Sequence, residues 1–493
     1  MYFIGYDIGS SSIKVALVNA TTGKLVGVHK EPTVEMTIQA PENGWAEQNP
    51  TDWWGHLCKA TKALLSQYSI QNKDIKGIGI SYQMHGLVII DRKGTLLRNA
   101  IIWCDSRAVT IGEQAYKELG AENCASHLLN SPANFTASKL KWVKENEPSV
   151  YKRIYKVMLP GDYIAYKLSD TITTTLSGLS EGIFWDFKED TVANWLLDYY
   201  GLNPNHLPDV LDTFGVQGKV SALGATESGL AQGTPILYRA GDQPNNALSL
   251  NVFKPGEVAM TGGTSGVVYA ITDTFSAKEH TRVNNFAHVN YQLSNPRIGK
   301  LLCINGAGIQ YRWLLHNLEI DSYEEMNKLA TSIPIGSDGL VLLPFGNGAE
   351  RMLNNKEIGA QLLDLNLNIH TKAHLCRAAL EGIAFAFFYG IEIMKSDGLI
   401  PSVIRAGNDN LFQSEIFSNT IASLIDKEIE IYNTTGAVGA ARACSLHKGD
   451  FDSFGEFTTN DHIATFKPAE DKLDYKTAYS RWKKKLELQL NNY

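Results

Sequence analysis

The 493-residue chain is poor in cysteine, and Cys58, Cys104, Cys124, Cys303, Cys376 and Cys444 fall in no CxxC or zinc-finger spacing. That argues against a zinc or dithiol framework. Scattered single thiols fit a reducing compartment, where most serve as small buried apolar groups, so a cytoplasmic protein is expected. No apolar run reaches the roughly 18 residues of a membrane-spanning helix. The segment Gly382 to Met394 is too short and is broken by Glu392. The opening Tyr2-Phe3-Ile4-Gly5-Tyr6 reads as a strand and lacks the charged and apolar regions of a signal peptide, so none is expected. No long basic run occurs and the net charge is −7, which leaves no electrostatic footprint for nucleic acid. The most basic spot, Arg481-Trp482-Lys483-Lys484-Lys485, reads as the solvated face of a final helix. Neither GxxxxGK[ST] nor GxGxxG is present, so any phosphate cradle here is neither a P-loop nor a Rossmann turn.

What is present is ordinary in bulk and specific in detail. The chain is 44% hydrophobic and 20% charged, as globular proteins are, and its length calls for two large domains or more. Strands alternate with helices, which indicates an α/β architecture. Residues 1 to about 20 read as a hairpin leading into a third strand. Thr51 to Gln67 reads as a helix capped by Asp52. Ile75–Ser81 and Leu237–Ala240 read as buried strands, the second ending at Gly241-Asp242. The pattern restarts after residue 250 with a hairpin over 256–272, a helix over 306–317 and a long apolar helix over about 371–396. A strand at 403–406 then ends at Gly407. An internal duplication of one α/β unit accounts for the restart. It places the domain boundary near 247–253, giving units of 1–249 and 250–493 joined by a hinge.

Two segments look alike. The segments Ile4–Val18, with Asp7-Ile8-Gly9-Ser10-Ser11-Ser12 at its centre, and Gly256–Ala270, with Gly262-Gly263-Thr264-Ser265-Gly266, each read as strand, small-residue turn, strand. Such turns let backbone N–H groups converge on an anion. Two facing loops would hold a polyphosphate from both sides, which points to an enzyme that moves phosphate. Asp7 beside Gly9, Ser10, Ser11 and Ser12 would repel that anion unless a cation intervened; a Mg²⁺ partner, reached through water, is the expectation. Asp242 is the candidate general base, since phosphoryl transfer to an alcohol needs a carboxylate within reach of the hydroxyl. Gln83-Met84-His85 at one strand end, with Trp103, Asp105 and Arg107 after another, supply an aromatic face and hydroxyl-binding groups. A polyol pocket needs both.

With these residues in hand, the chain resembles the FGGY carbohydrate kinases along essentially its whole length. The segment Lys139-Leu140-Lys141-Trp142-Val143-Lys144-Glu145-Asn146 is similar to the family's first signature, and the segment from Gly359 through Arg377-Ala378-Ala379-Leu380-Glu381-Gly382 to its second. The resemblance implies two ribonuclease-H-like domains, as in the actin/Hsp70 ATPases, around a cleft. It also implies ATP and Mg²⁺ as cofactors, a sugar as substrate, and a homodimer as one possible assembly. The first domain would bind the sugar and carry the base; the second would bind the nucleotide. Gly9, Ser10, Ser11, Ser12, Lys14, Gly263, Thr264, Ser265, Gly306, Gln310, Gly407 and Asn410 would serve the nucleotide. Gln83, Met84, His85, Trp103, Asp105, Arg107, Asp242 and Gln243 would serve the sugar. Within the family, Gln83-Met84-His85-Gly86 and Trp103-Cys104-Asp105-Ser106-Arg107 resemble most the branch that phosphorylates D-xylulose. Gly241-Asp242-Gln243 is similar instead to the glycerol-using branch, and Arg405-Ala406-Gly407-Asn408-Asp409-Asn410 stands where a more Gly-rich adenosine loop is usual. Another ketose or polyol (ribulose, fuculose, glycerol) therefore stays open. So does an actin-like ATPase without a small substrate.

Overall fold

The computed structural model describes residues 1–275, 277–409 and 411–492. Two mixed sheets organise it. In the first, β1 (Tyr2–Ile8) and β2 (Ile13–Asn19) form the expected hairpin, and β3 (Leu25–Glu31) adds antiparallel to β2. Helix α1 (Pro50–Gln67) then leads to β4 (Ile75–Tyr82), which returns parallel to β1. A long excursion carrying α2 (Thr136–Asn146) and α3 (Leu176–Glu181) precedes β5 (Phe214–Lys219) and β6 (Pro235–Gly241). The order is β5-β6-β4-β1-β2-β3. Helix α4 (Asp242–Ser249) follows directly.

The second sheet repeats the plan. Its hairpin is β7 (Glu257–Gly262) and β8 (Gly266–Thr272), and β9 (Asn284–Ala287) and β10 (Ile298–Ile304) extend it antiparallel. After α5 (Gly308–Asn317) and α6 (Lys372–Ser396), β11 (Val403–Gly407) and β12 (Ile429–Tyr432) add in parallel. Then come α7 (Gly436–Ala443), β13 (His462–Phe466) and α8 (Leu473–Asn491). The order is β9-β10-β8-β7-β11-β12-β13. The two hairpins close on matching turns, at Ile8↔Ile13 and at Gly262↔Gly266.

Helices α4 and α7 lie between the sheets. α7 follows a strand of the second sheet yet packs on the first. A Cβ at Gly5 would lie 2.1 Å from the Ala437 carbonyl oxygen, and one at Gly79 1.8 Å from that of Ala440. Only glycine at both strand positions lets the helix come so close. Gly439 in turn faces Ser249 of α4, whose Cβ a side chain there would meet at 2.4 Å.

Two local expectations need correcting. α1 is capped by Asn49, whose side chain accepts from the Thr51 N–H, and Asp52 sits in the first turn. The basic cluster on α8 is not a purely solvated face. Trp482 is buried and donates its indole N–H to the Leu342 carbonyl at 2.9 Å. Lys483 and Lys485 pair with Glu392 and Asp364. The apolar α6 owes its composition to the core of the second domain, where most of its residues are buried. Among the described residues, no helix is long and apolar enough to cross a membrane.

Candidate active site

The cleft between the sheets gathers the chemistry at strand ends and helix starts. Asp7 lies near the end of β1, next in the sheet to Ser81, whose hydroxyl donates to Oδ1 at 3.1 Å; Lys14 Nζ stands 3.8 Å from Oδ2. The first turn of α7 abuts this carboxylate: a Cβ on Gly436 would lie 3.1 Å from it. Asp242 opens α4 immediately after β6. Its pKa is raised from 3.8 to about 7, chiefly by desolvation and then by the negative Asp7, with hydrogen bonds from Gln243 acting the other way. The two carboxylates, distant in sequence, thus sense each other, one at the start of α4 and the other against the start of α7.

The small-residue loops hold themselves by backbone bonds. Gly9 N–H donates to the Ser12 carbonyl at 3.1 Å, and the Ser10 carbonyl accepts from Gln48 Nε2 at 2.6 Å. Ser11 is exposed and Ser12 buried. In the second loop, the Gly263 and Thr264 carbonyls accept from the N–H groups of Gly308 and Ile309 at 3.1 and 2.9 Å, which docks it on the start of α5; Thr264 itself is exposed and Ser265 half-buried. Gly306 must be glycine, because a Cβ there would lie 1.6 Å from the Pro344 carbonyl oxygen. Gln310 is buried, with Oε1 unpartnered among the described residues. An apolar cavity of about 420 Å³ opens beside Gly306 and Gln310, with Trp313, Leu342 and Leu362 on its walls. A Cβ on Gly407 would meet nothing, so the end of β11 faces open space. Asn410 lies outside the described residues.

The strand ends around Gly241 and His85 are packed from both sheets. Met84 is buried against Gly241, where a Cβ would fall 2.6 Å from Met84 Cγ. His85 takes a left-handed backbone, φ 60°, just beyond the end of β4. Its Nδ1 lies 2.9 Å from the Glu181 carbonyl and therefore carries the proton; Nε2 is left as an acceptor. The ring packs against Phe135 at 4.8 Å and against Phe286 of β9 at 5.2 Å. Burial, with Lys139 and Arg351 nearby, pushes its pKa down to about 3, so the imidazole is neutral at physiological pH. Gln83 Nε2 reaches Gln48 at 3.3 Å, and its Oε1, like that of Gln243, is buried without a partner among the described residues. Trp103 is 51% exposed and donates to Ser10 Oγ at 3.4 Å.

Asp105 and Arg107 are turned on each other. The carboxylate accepts from Arg107 Nη2 at 2.7 Å and from the Ala46 N–H at 2.6 Å, and the guanidinium lies 3.9 Å above Trp45 and 4.8 Å from Trp142. They brace the wall that carries Trp103.

Several polar groups were not singled out by sequence reasoning. Lys139 is fully buried on α2 and donates to the His85 and Ile102 carbonyls at 3.0 and 2.9 Å, pinning two segments that line the pocket. A lysine on the inward face of an amphipathic helix was its signal. Glu181 lies beneath Gly241, where a Cβ would meet Oε2 at 2.4 Å; burial and the nearby Asp242 hold its pKa well above the usual carboxylate range. Asp409 accepts from the Gly262 N–H at 2.7 Å. Glu350 accepts from the Asn305 and Gly306 N–H groups, both at 3.0 Å. Nothing in the local pattern marks the last three.

A two-domain α/β fold whose sheets each open on a hairpin with a small-residue turn, and a buried carboxylate directly after a strand of the first, define a class, and comparison with known proteins names it. Residues 2–249 match the N-terminal domain of the FGGY family of carbohydrate kinases, and residues 258–446 match the C-terminal domain. The chain belongs to this family and is a sugar kinase. It is 28% identical to the xylulose kinase of Bacillus subtilis (strain 168), over 98% of this chain and 96% of that protein. It is 30% identical to the xylulose kinase of Haemophilus influenzae, over 87% and 86%. The crystal structure of xylulose kinase from Rhodospirillum rubrum superposes with a TM-score of 0.88 at 26% identity, covering 99% of each chain. Sugar kinases of this family use ATP and typically a divalent metal.

Proposed function

We propose that the chain phosphorylates D-xylulose at its terminal hydroxyl, giving D-xylulose 5-phosphate and ADP. The observation that carries this reading is the raised carboxyl of Asp242, next in the chain to Gly241, against which Met84 is buried. The similarity to xylulose kinases over nearly the whole chain supports the choice of sugar.

Asp242 accepts the proton of the reacting hydroxyl as that oxygen bonds to the γ-phosphorus and the bond to the β-bridging oxygen breaks. A base titrating near 7 matches a neutral working pH. His85 Nε2 accepts from a sugar hydroxyl, and the idle Oε1 atoms of Gln83 and Gln243 are further acceptors. Trp103 offers an apolar ring to the C–H face of the sugar. Asp105 and Arg107 hold that wall. Backbone N–H groups of the loops at 9–12 and 263–265, with Lys14 and the Thr264 hydroxyl, take the phosphates. Gly306, Gln310, Gly407 and Asn410 accompany the nucleoside.

The described residues contain no cluster of three or more His, Cys, Asp or Glu side chains able to grip a metal alone. A single, partly exposed carboxylate at Asp7 fits an ion whose remaining ligands are phosphates and waters, as Mg²⁺ prefers. When bound there, Mg²⁺ offsets the charge of the β- and γ-phosphates.

The test is ADP release with Mg-ATP across D-xylulose, D-ribulose, L-ribulose, L-xylulose, L-fuculose, D-fructose, gluconate, glycerol and xylitol. A clear preference for D-xylulose supports the reading. Preference for another acceptor would keep the kinase and replace the sugar, and turnover blind to all of them would indicate an ATPase.

A further inference from the structure

The loop after the strand Val341–Phe345 sends adjacent side chains in different directions. Glu350 grips the amides of Asn305 and Gly306. Arg351 turns toward His85: its guanidinium carbon lies 5.8 Å above the ring of Phe135, which itself packs edge-on against that imidazole. Phe135 and His85 belong to the N-terminal domain and Arg351 to the C-terminal one, so the side chain crosses the cleft. Its Nε and Nη2 are buried with no hydrogen-bond partner among the described residues. Those residues also give it no ion pair of the kind that anchors Arg107 or Arg377. A buried guanidinium without acceptors is costly, and native proteins seldom leave one so. Its planar fork suits two oxygens on neighbouring carbons.

We propose that Arg351 is a substrate-binding residue that donates Nε–H and Nη2–H to two oxygens at the end of the ketose remote from the reacting hydroxyl. The inference rests on the ketose-kinase reading above. The far end is indicated because Met84, not His85, abuts Gly241 and hence Asp242, while Arg351 shares the wall formed by Phe135 and His85. The sugar pocket is then complete only when the second domain is seated on the first.

Arg351→Met and Arg351→Lys test this, with D-xylulose compared against dihydroxyacetone, which keeps a terminal hydroxyl and lacks the distal carbons. For Arg351→Met, kcat/KM with D-xylulose is expected to fall roughly 10- to 100-fold, the range for hydrogen bonds from a charged donor. KM for ATP and the rate with dihydroxyacetone should stay near wild type, and Arg351→Lys should recover part of the loss. D-xylulose without nucleotide should raise the melting temperature of the wild type and not that of Arg351→Met. The variant alone should melt no lower than wild type, because an unpaired buried charge is removed. Equal loss with both acceptors would place the guanidinium at the transferring phosphoryl group and overturn the inference, as would an Arg351→Met enzyme indifferent in every readout. A wild type that ignores all ketoses would overturn the ketose reading, and this inference with it.

Discussion

Asp242 is held at a thermodynamic disadvantage, and replacing it with asparagine should reveal how large that is. The fold lifts this carboxyl from an ordinary 3.8 to about 7, by desolvation first and by the charge of Asp7 second. For an acid with a raised native pKa, the unfolded chain ionises first. Destabilisation therefore begins as pH rises past 3.8 and is complete above about 7. At 1.36 kcal/mol per tenfold change in proton affinity, the cost is about 2 kcal/mol at pH 5 and about 4 kcal/mol at pH 8. The amide of the Asp242→Asn variant cannot ionise and escapes it. The stability gain of Asp242→Asn over wild type should therefore widen by about 2–3 kcal/mol between those pH values. For a domain of this size that is an additional rise of about 5–10 °C in melting temperature. The assay is paired thermal melts of the two proteins at pH 5, 6, 7 and 8 without ligands, with ADP release from the same samples. Activity should drop at least roughly 100-fold, the low end of what a general base supplies. A stability difference that is flat with pH would refute the assigned cause of the shift. A folded Asp242→Asn that keeps its activity would refute the role.

Other consequences follow from the same geometry. The pH profile of kcat/KM should have an acidic limb with its midpoint near 7, because the free enzyme needs Asp242 ionised; a limb near 4 would contradict this. His85 should leave no inflection between pH 5 and 8, as its imidazole is already neutral there. Lys139→Met strands two buried carbonyls and should lower stability by about 2–5 kcal/mol in urea titration while raising KM for the sugar. Gly79→Ala forces α7 off the first sheet and should abolish soluble folded protein or lower the melting point sharply, whereas Gly55→Ala on α1, where a Cβ meets nothing, should be neutral or stabilising.

Much of the fold was legible because its signals are local. The hairpins at 2–19 and 257–272, the buried strands ending at Tyr82 and Gly241, and the long helix at 372–396 each follow from periodicity, turn residues and length. The basic cluster on α8 misled because a charge run does not reveal that the tryptophan inside it points at Leu342. The cap of α1 went to Asn49 because Pro50 already begins the helix, leaving the preceding residue to satisfy its free amides. At the site, residues adjacent to strand ends were readable. What was not readable is who faces whom across the cleft. Asp105 and Arg107 read as pocket groups yet bind one another, and Glu181, Glu350 and Arg351 enter the site through long-range packing that no spacing encodes.

The most direct test of the central claim is the product itself. Wild-type protein incubated with Mg-ATP and D-xylulose should yield, by ³¹P NMR, ADP and one sugar phosphate whose phosphorus couples to the two protons of a terminal CH₂, matching D-xylulose 5-phosphate. Appearance of inorganic phosphate alone, with the sugar unchanged, would contradict the account.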